Sequence, residues 1–391
     1  VVQTSFERRA VIVTFPDTAT HTETYGFAGT SGAVNLEGQF LIPKGIPSKT
    51  LFIFMHPSST LNLLPMPRAL AEAGMHVLCA ASRYPKNDSA LIMEKTVIDM
   101  GAWVRYAREE AGYEKVILVG WSGGGSLSVF YQAEAENPTI THTPAGDPVD
   151  VAGAGLQPAD GVILIAAHMS RAETLTEWLD PSVLNELDPD ERDLELDIYA
   201  ENCPHQPPYG AIFVEQFRAA QIARNRRITA WCQNKLEMLR ARRSPEIEFP
   251  FVVHRTMCDV RWLDPAVDPN DRKPRWSYLG APAVANVLPA GLARYSSLRS
   301  WLSQWSYDLS NARSKLNAPR IRKTVMLLIE NTADDAVPAT HNPKVFSLLG
   351  TDDKEHVRIK GATHYYLGQP VHLAQCLDTI KDWCARKGFE V

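Results

Sequence analysis

The stretch Val116-Ile117-Leu118-Val119-Gly120-Trp121-Ser122-Gly123-Gly124-Gly125-Ser126-Leu127 constrains the chain more than any other. Four β-prone apolar residues run into Gly-x-Ser-x-Gly, and from Leu127 through Phe130 and Tyr131 the apolar spacing is that of a helix. A strand that turns directly into a helix leaves little room at the turn. Glycines around a lone serine let the two elements pass closely while the serine side chain projects from the apex. The amides of the following helix N-terminus then lie beside the hydroxyl, where they favour an anion.

Around this stretch the text alternates between strands and helices. Early strands are expected at 10–16 and 34–43, linked by Gly-, Ser- and Thr-rich turns. The run Thr50-Leu51-Phe52-Ile53-Phe54-Met55 reads as a strand covered on both faces and ends in His56-Pro57-Ser58-Ser59. A helix over 62–74, closed by Gly74, leads to a buried strand at 75–81. A longer helix over 88–111 is expected, capped by Asp88 or Ser89, and a further strand at 161–167. This alternation predicts a mostly parallel sheet with helices on both faces. It stops from 169 to about 320, where helical stretches, proline-rich joints and six of the nine tryptophans gather. Residues 211–243 form the clearest helix there and carry Arg218, Arg224, Arg226, Arg227, Arg240, Arg242 and Arg243. Strand text resumes at 323–330 and 356–360, and a last helix is expected near 368–387.

A serine hydroxyl needs a base to take its proton and a carboxylate to orient that base. Asn331-Thr332-Ala333-Asp334-Asp335-Ala336-Val337-Pro338 follows one late strand, and Gly361-Ala362-Thr363-His364 follows the next. With the elbow, these loops resemble the α/β-hydrolase superfamily, the acid loop in its Asp-x-x-Val-Pro form and the histidine loop in its Gly-x-x-His form. The resemblance implies an α/β-hydrolase fold: a mostly parallel central sheet flanked by helices, with a large, mainly helical cap inserted after the sixth strand. The core would comprise 1–168 and 321–391, and the cap 169–320. It implies Ser122 as nucleophile, His364 as base and Asp334 as acid. Asp335 is the alternative acid, and His341 the rival base to test. The oxyanion hole would use the amide of Gly123 and, because Pro57 has no N–H, that of Ser58.

By resemblance the chain is a carboxylic-ester hydrolase working through an acyl-enzyme. The aromatics of the insertion favour a bulky apolar or aromatic substrate. Hydrolysis of a C–C bond in a diketone, of a lactone or of an amide would use the same triad. A hydrolase-fold binding protein is the reading from another class. The arginines of 211–243 read as a solvated face, with steering of a carboxylate-bearing substrate as the second reading. Serine at the elbow argues against the dehalogenase and epoxide-hydrolase branches. The absence of H-E-x-x-H, P-loop and strand-linked G-x-G-x-x-G patterns leads us to expect no metal and no cofactor. A net charge of −5 gives no footprint for nucleic acid, and no apolar run is long enough to span a bilayer. The six cysteines show no C-x-x-C pair, so a reducing, cytoplasmic setting is expected, although the first residue is not Met and a removed export signal stays open. Exposed aromatics on the insertion would suit a homodimer.

Overall fold

The computed structural model describes residues 4–17, 32–242 and 246–391. The strands are β1 (Phe6–Pro16), β2 (Ala33–Pro43), β3 (Thr50–Met55), β4 (His76–Ala80), β5 (Lys115–Ser122), β6 (Gly161–Ala167), β7 (Pro250–Val252), β8 (Tyr295–Ser297), β9 (Val325–Asn331) and β10 (Lys354–Ile359). Eight of them form one sheet in the order β1-β2-β4-β3-β5-β6-β9-β10. The pairs β1/β2 and β2/β4 are antiparallel, and every pair from β4 to β10 is parallel. This is the α/β-hydrolase fold. The turns predicted between the first two strands fall on 18–31, outside the described residues.

Every residue of β3 and β6 is buried, as their unbroken apolar runs require, because helices cover both faces. On one face α2 (Met93–Glu109) and α3 (Gly123–Glu136) pack Met93, Val97, Trp103, Phe130 and Tyr131 against the sheet. On the other, α1 (Pro65–Glu72) and the C-terminal helix Pro370–Lys387 contribute Leu70, Ile380 and Trp383. The parallel run aligns the C-terminal ends of β3, β5, β6, β9 and β10 along one edge. His56, Ser122, His168 and the two late loops all emerge there.

Between β6 and β9 the chain leaves the central sheet. This segment carries α4 (Arg171–Trp178), the 32-residue α5 (Ala211–Arg242), the two-stranded ribbon of β7 and β8, and a π-helical turn at Trp301–Trp305. Much of the rest is turns and short helices, less helical than its composition implied. Its own core sets Ile228, Cys232 and Leu236 of α5 against Trp301 and Trp305. The arginines of α5 are solvated in part: Arg226, Arg227 and Arg240 stay about half exposed and Arg242 is exposed, but most of the set is also paired. Arg224 is buried and bonds Glu186 and the carbonyls of Asp180 and His254, while Arg218 pairs with Asp259, Arg226 with Asp308, Arg227 with Glu186 and Arg240 with Asp147. They brace the segment, and Arg243 lies outside the described residues.

The start of α2 also differs from expectation. Ile92 is its cap residue, with no side-chain cap bond of its own. Instead Ser303 Oγ, from the inserted segment, accepts the Met93 N–H at 2.8 Å and donates to buried Glu94 at 2.7 Å. A cap supplied 210 residues downstream leaves no local signal, and it frees Asp88 for another role. No helix among the described residues is long and apolar enough to cross a membrane.

The elbow allows a direct test of this packing. A Cβ on Gly124 would collide with the carbonyl oxygen of Met55 at the end of β3. Gly124→Ala is expected to cost about 1–3 kcal/mol in urea unfolding. An unchanged midpoint would mean that strand and helix are not in this close contact.

Candidate active site

Ser122 ends β5 at φ 53° and ψ −126°, a conformation that non-glycine residues seldom adopt. The ladder to β6 shifts register between Trp121 and Ser122, so the strand bulges as it delivers the serine. At Gly120 a Cβ would sit 2.8 Å from Gly124 O and from Gly125 Cα, which is why the elbow cannot carry a side chain there. Gly123 opens α3, and as its first residue its amide has no intrahelical acceptor.

The two late loops meet as their strands predict. His364 Nδ1 lies 2.9 Å from Asp334 Oδ2, and both residues are buried. Asp334 Oδ1 accepts the amides of Ala336 and Val337 at 2.8 Å each, which fixes the carboxylate. Asp335 makes no bond to His364; its backbone oxygen accepts Trp262 Nε1, and burial beside Asp334 raises its carboxyl pKa. Trp121 Nε1 donates to the His364 backbone oxygen at 3.1 Å, and its ring centroid is 4.7 Å from the imidazole. Asn331 holds the same loop, donating to Thr363 O and accepting from Tyr366 Oη. His341, the rival base, is buried 3.6 Å from Glu177 and does not line the cavity described next.

Ser122 and His364 share a cavity of about 170 Å³. No hydrogen bond joins Ser122 Oγ to His364 among the described residues. The inserted segment walls one side of the cavity with Arg171, Thr174, Trp178, Tyr278 and Leu292. The same segment braces the acid loop, through Trp262 to Asp335 O and Asn270 Nδ2 to Asp334 O.

The expected loop donor, Ser58, is engaged elsewhere. The Ser58 and Ser59 amides both donate to His56 Nδ1, at 3.2 and 3.0 Å. With Nδ1 accepting, the proton of a neutral His56 ring is assigned to Nε2. Burial, with Arg171 and His364 nearby, holds this ring well below the usual imidazole range, and burial does the same to His168. His168 lines the cavity with its Nδ1 3.0 Å from Thr174 Oγ1. Sequence reasoning gave neither histidine a role, and it missed Arg171 and Asp88. Arg171 lies under the Trp305 ring, 4.3 Å from its centroid, and donates from Nε and Nη2 to Gln304 Oε1 and from Nη2 to Asp88 Oδ2. Burial raises the Asp88 carboxyl pKa, against the pull of Arg171.

No protein-family model matches the sequence, and no curated protein matches it. Solved structures do. DcsB, in complex with its substrate analogue, superimposes with a TM-score of 0.53 at 11% identity, over 97% of this chain and 99% of that one. The α/β hydrolase GrgF from Penicillium sp. sh18 gives 0.53 at 12% identity, with 97% and 99% covered. At such identities the likeness establishes the fold.

The depressed histidines make stability depend on pH. An unfolded imidazole titrates near 6.5, whereas folded His56 takes its proton only at lower pH. The unfolded chain therefore binds that proton first, and stability falls as pH drops below about 6.5. Each such histidine contributes at most about 1.4 kcal/mol per pH unit. His56→Gln is expected to flatten the slope of urea-unfolding free energy between pH 6.5 and 5.5 by about that amount. An identical slope would show that His56 is not held neutral.

Proposed function

We propose that the chain is a serine hydrolase that cleaves carboxylic esters through an acyl-enzyme on Ser122, with His364 as base and Asp334 as the group that orients it. The observation that carries this reading is the placement of a serine with positive φ in one cavity with a histidine whose far nitrogen is bonded to a buried aspartate. With Nδ1–H donated to Asp334, His364 Nε2 is left as the acceptor for the Ser122 proton. The serine–histidine contact of such sites often tightens only once a substrate is seated.

In this mechanism Ser122 Oγ attacks the ester carbonyl and His364 takes its proton. The Gly123 amide faces the oxygen that gains charge. The tetrahedral intermediate collapses, and His364 returns the proton to the departing alcohol. Water, activated by the same imidazole, then releases the acid.

Residues 169–320 act as the cap, since five of their residues line the cavity. At about 170 Å³ the cavity is below the ~300–1,000 Å³ that encloses a drug-sized ligand, and many of its walls are polar. A compact acyl group fits this space. The bulky aromatic substrate expected from composition would extend beyond this space through its open side. The rings expected to bind it serve in part as packing: Trp301 and Trp305 fill the core of the inserted segment.

The test is a panel of para-nitrophenyl esters of rising acyl length, with a lactone, an amide and a diketone alongside, together with labelling by a fluorophosphonate. Short-chain esters are expected to be turned over fastest. Ser122→Ala is expected to abolish labelling and lower kcat by at least about 10⁴-fold, and Asp334→Asn by about 10³–10⁴-fold. Folded wild-type protein that neither labels nor turns over any ester would overturn the assignment.

A further inference from the structure

The elbow supplies one backbone amide, from Gly123, for the oxygen that gains charge, and the two amides beyond Pro57 that the loop after β3 brings to the cavity, those of Ser58 and Ser59, both donate to His56 Nδ1. Two side-chain donors stand in that place. A Cβ built on Gly123 would lie 2.7 Å from His56 Nε2 and 3.0 Å from Arg171 Nη1, so both nitrogens converge on the flank of the residue directly after the nucleophile. His56 and Arg171 are each more than nine-tenths buried, and both line the cavity that holds Ser122 and His364.

Each donor is fixed from behind. The His56 ring is held by its two accepted amides, which leave the Nε2–H directed away from the loop. Arg171 is gripped by the Trp305 ring, by Gln304 Oε1 on Nε and Nη2, and by Asp88 Oδ2 on Nη2. Its Nη1 has no acceptor among the described residues. An arginine tied down along one edge and open along the other is a built donor.

We propose that His56 Nε2–H and Arg171 Nη1–H, with the Gly123 amide, form the oxyanion hole of this enzyme, side chains taking the part of a loop amide. The inference rests on the ester-hydrolase reading. When Ser122 Oγ bonds to the carbonyl carbon and its proton passes to His364, the carbonyl π pair moves onto oxygen. That O⁻ receives the three donors. On collapse the pair returns to the C=O bond, the bond to the alcohol oxygen breaks, and His364 protonates that oxygen. Neutral His56 keeps its proton throughout and acts only as a donor.

Donors aimed at a developing charge act on kcat rather than on substrate binding. Arg171→Gln is expected to lower kcat for para-nitrophenyl acetate by about 10²–10³-fold with KM close to wild type, and Arg171→Lys to restore part of the loss. A trifluoromethyl ketone, whose serine adduct carries the same oxyanion, is expected to bind more weakly to Arg171→Gln by the same factor. His56 is tested by a pair of variants. Asn keeps an acceptor where Nδ1 stood but loses the far donor, whereas Gln places an amide N–H near the Nε2 position. Asn is expected to lose kcat and ketone affinity together, and Gln to retain more of both. This pair carries the test if the arginine variants do not fold, as read from their thermal midpoints.

The proposal is overturned if Arg171→Gln leaves kcat on the acetate unchanged and raises KM only for the para-nitrophenyl half-ester of succinate, since Arg171 would then be a carboxylate receptor. It is overturned equally if kcat falls in the variants while ketone affinity does not. Failure of the parent reading looks different, because wild-type protein would then not label with a fluorophosphonate at all.

Discussion

The site depends on the strained backbone at Ser122. A non-glycine residue at φ 53° and ψ −126° costs on the order of 1–3 kcal/mol and persists only where its surroundings leave no alternative. Here they leave none. Behind the serine, Gly120 lies against the first turn of α3, Gly124 against the end of β3, and Gly125 against Ala167 of β6. Three strands and a helix are therefore locked together at one point. The same contacts that force the strain aim the hydroxyl out of the sheet edge and place the helix amides beside it. Relaxing the turn would separate β5 from α3 before it relieved the serine.

A second dependence runs through the inserted segment, which is part of the catalytic edge as much as a cover over it. Ser303 caps α2, Asn311 and Ser303 satisfy the buried carboxylate of Glu94, and Trp262 and Asn270 hold the backbone of Asp335 and Asp334. The π-helical turn at Trp301–Trp305 widens the helix where Gln304 and Trp305 meet Arg171. Removing the segment would thus leave Glu94 without its partners Ser303 and Asn311, an open helix end and an unbraced acid loop, besides an uncovered cavity.

What could be read from the amino-acid text follows from this division. β3 and β6 were legible to the residue, because a strand buried on both faces writes an unbroken apolar run. Ser122, Asp334 and His364 could be singled out because each sits at or shortly after the C-terminal end of a strand, Ser122 at the end of β5 and the other two in the loops after β9 and β10, so local pattern and topology point the same way. Both Asp334 and Asp335 fit the loop pattern, and the geometry favours Asp334, since it is the one bonded to His364. Arg171, Asp88 and the tautomer of His56 were not legible. Arg171 owes its place to Gln304 and Trp305, more than 130 residues on, and no local pattern carries such a contact. Asp88 looked like a helix cap because an aspartate before a helix usually is one. The α5 arginines looked solvated because spacing shows periodicity but not the carboxylates that come to meet them.

The same long-range placement leaves an arginine with one edge turned to the cavity. A fully buried donor without an acceptor costs about 1–3 kcal/mol, and more for a charged group, whereas Arg171 Nη1 faces the cavity and is not sealed from solvent. In the resting protein Asp88 and Gln304 offset only one edge of the guanidinium. A neutral carbonyl is a weak acceptor for Nη1, whereas a tetrahedral oxyanion is a strong, charge-assisted one. In the proposed mechanism the interaction would therefore gain most of its strength as the Ser122–carbon bond forms, which is the condition for a binding group to raise rate instead of affinity. In that mechanism a cation already fixed by Trp305, Gln304 and Asp88 needs no reorganisation at that moment, and the walls of Trp178, Tyr278 and Leu292 keep part of the surrounding water from it.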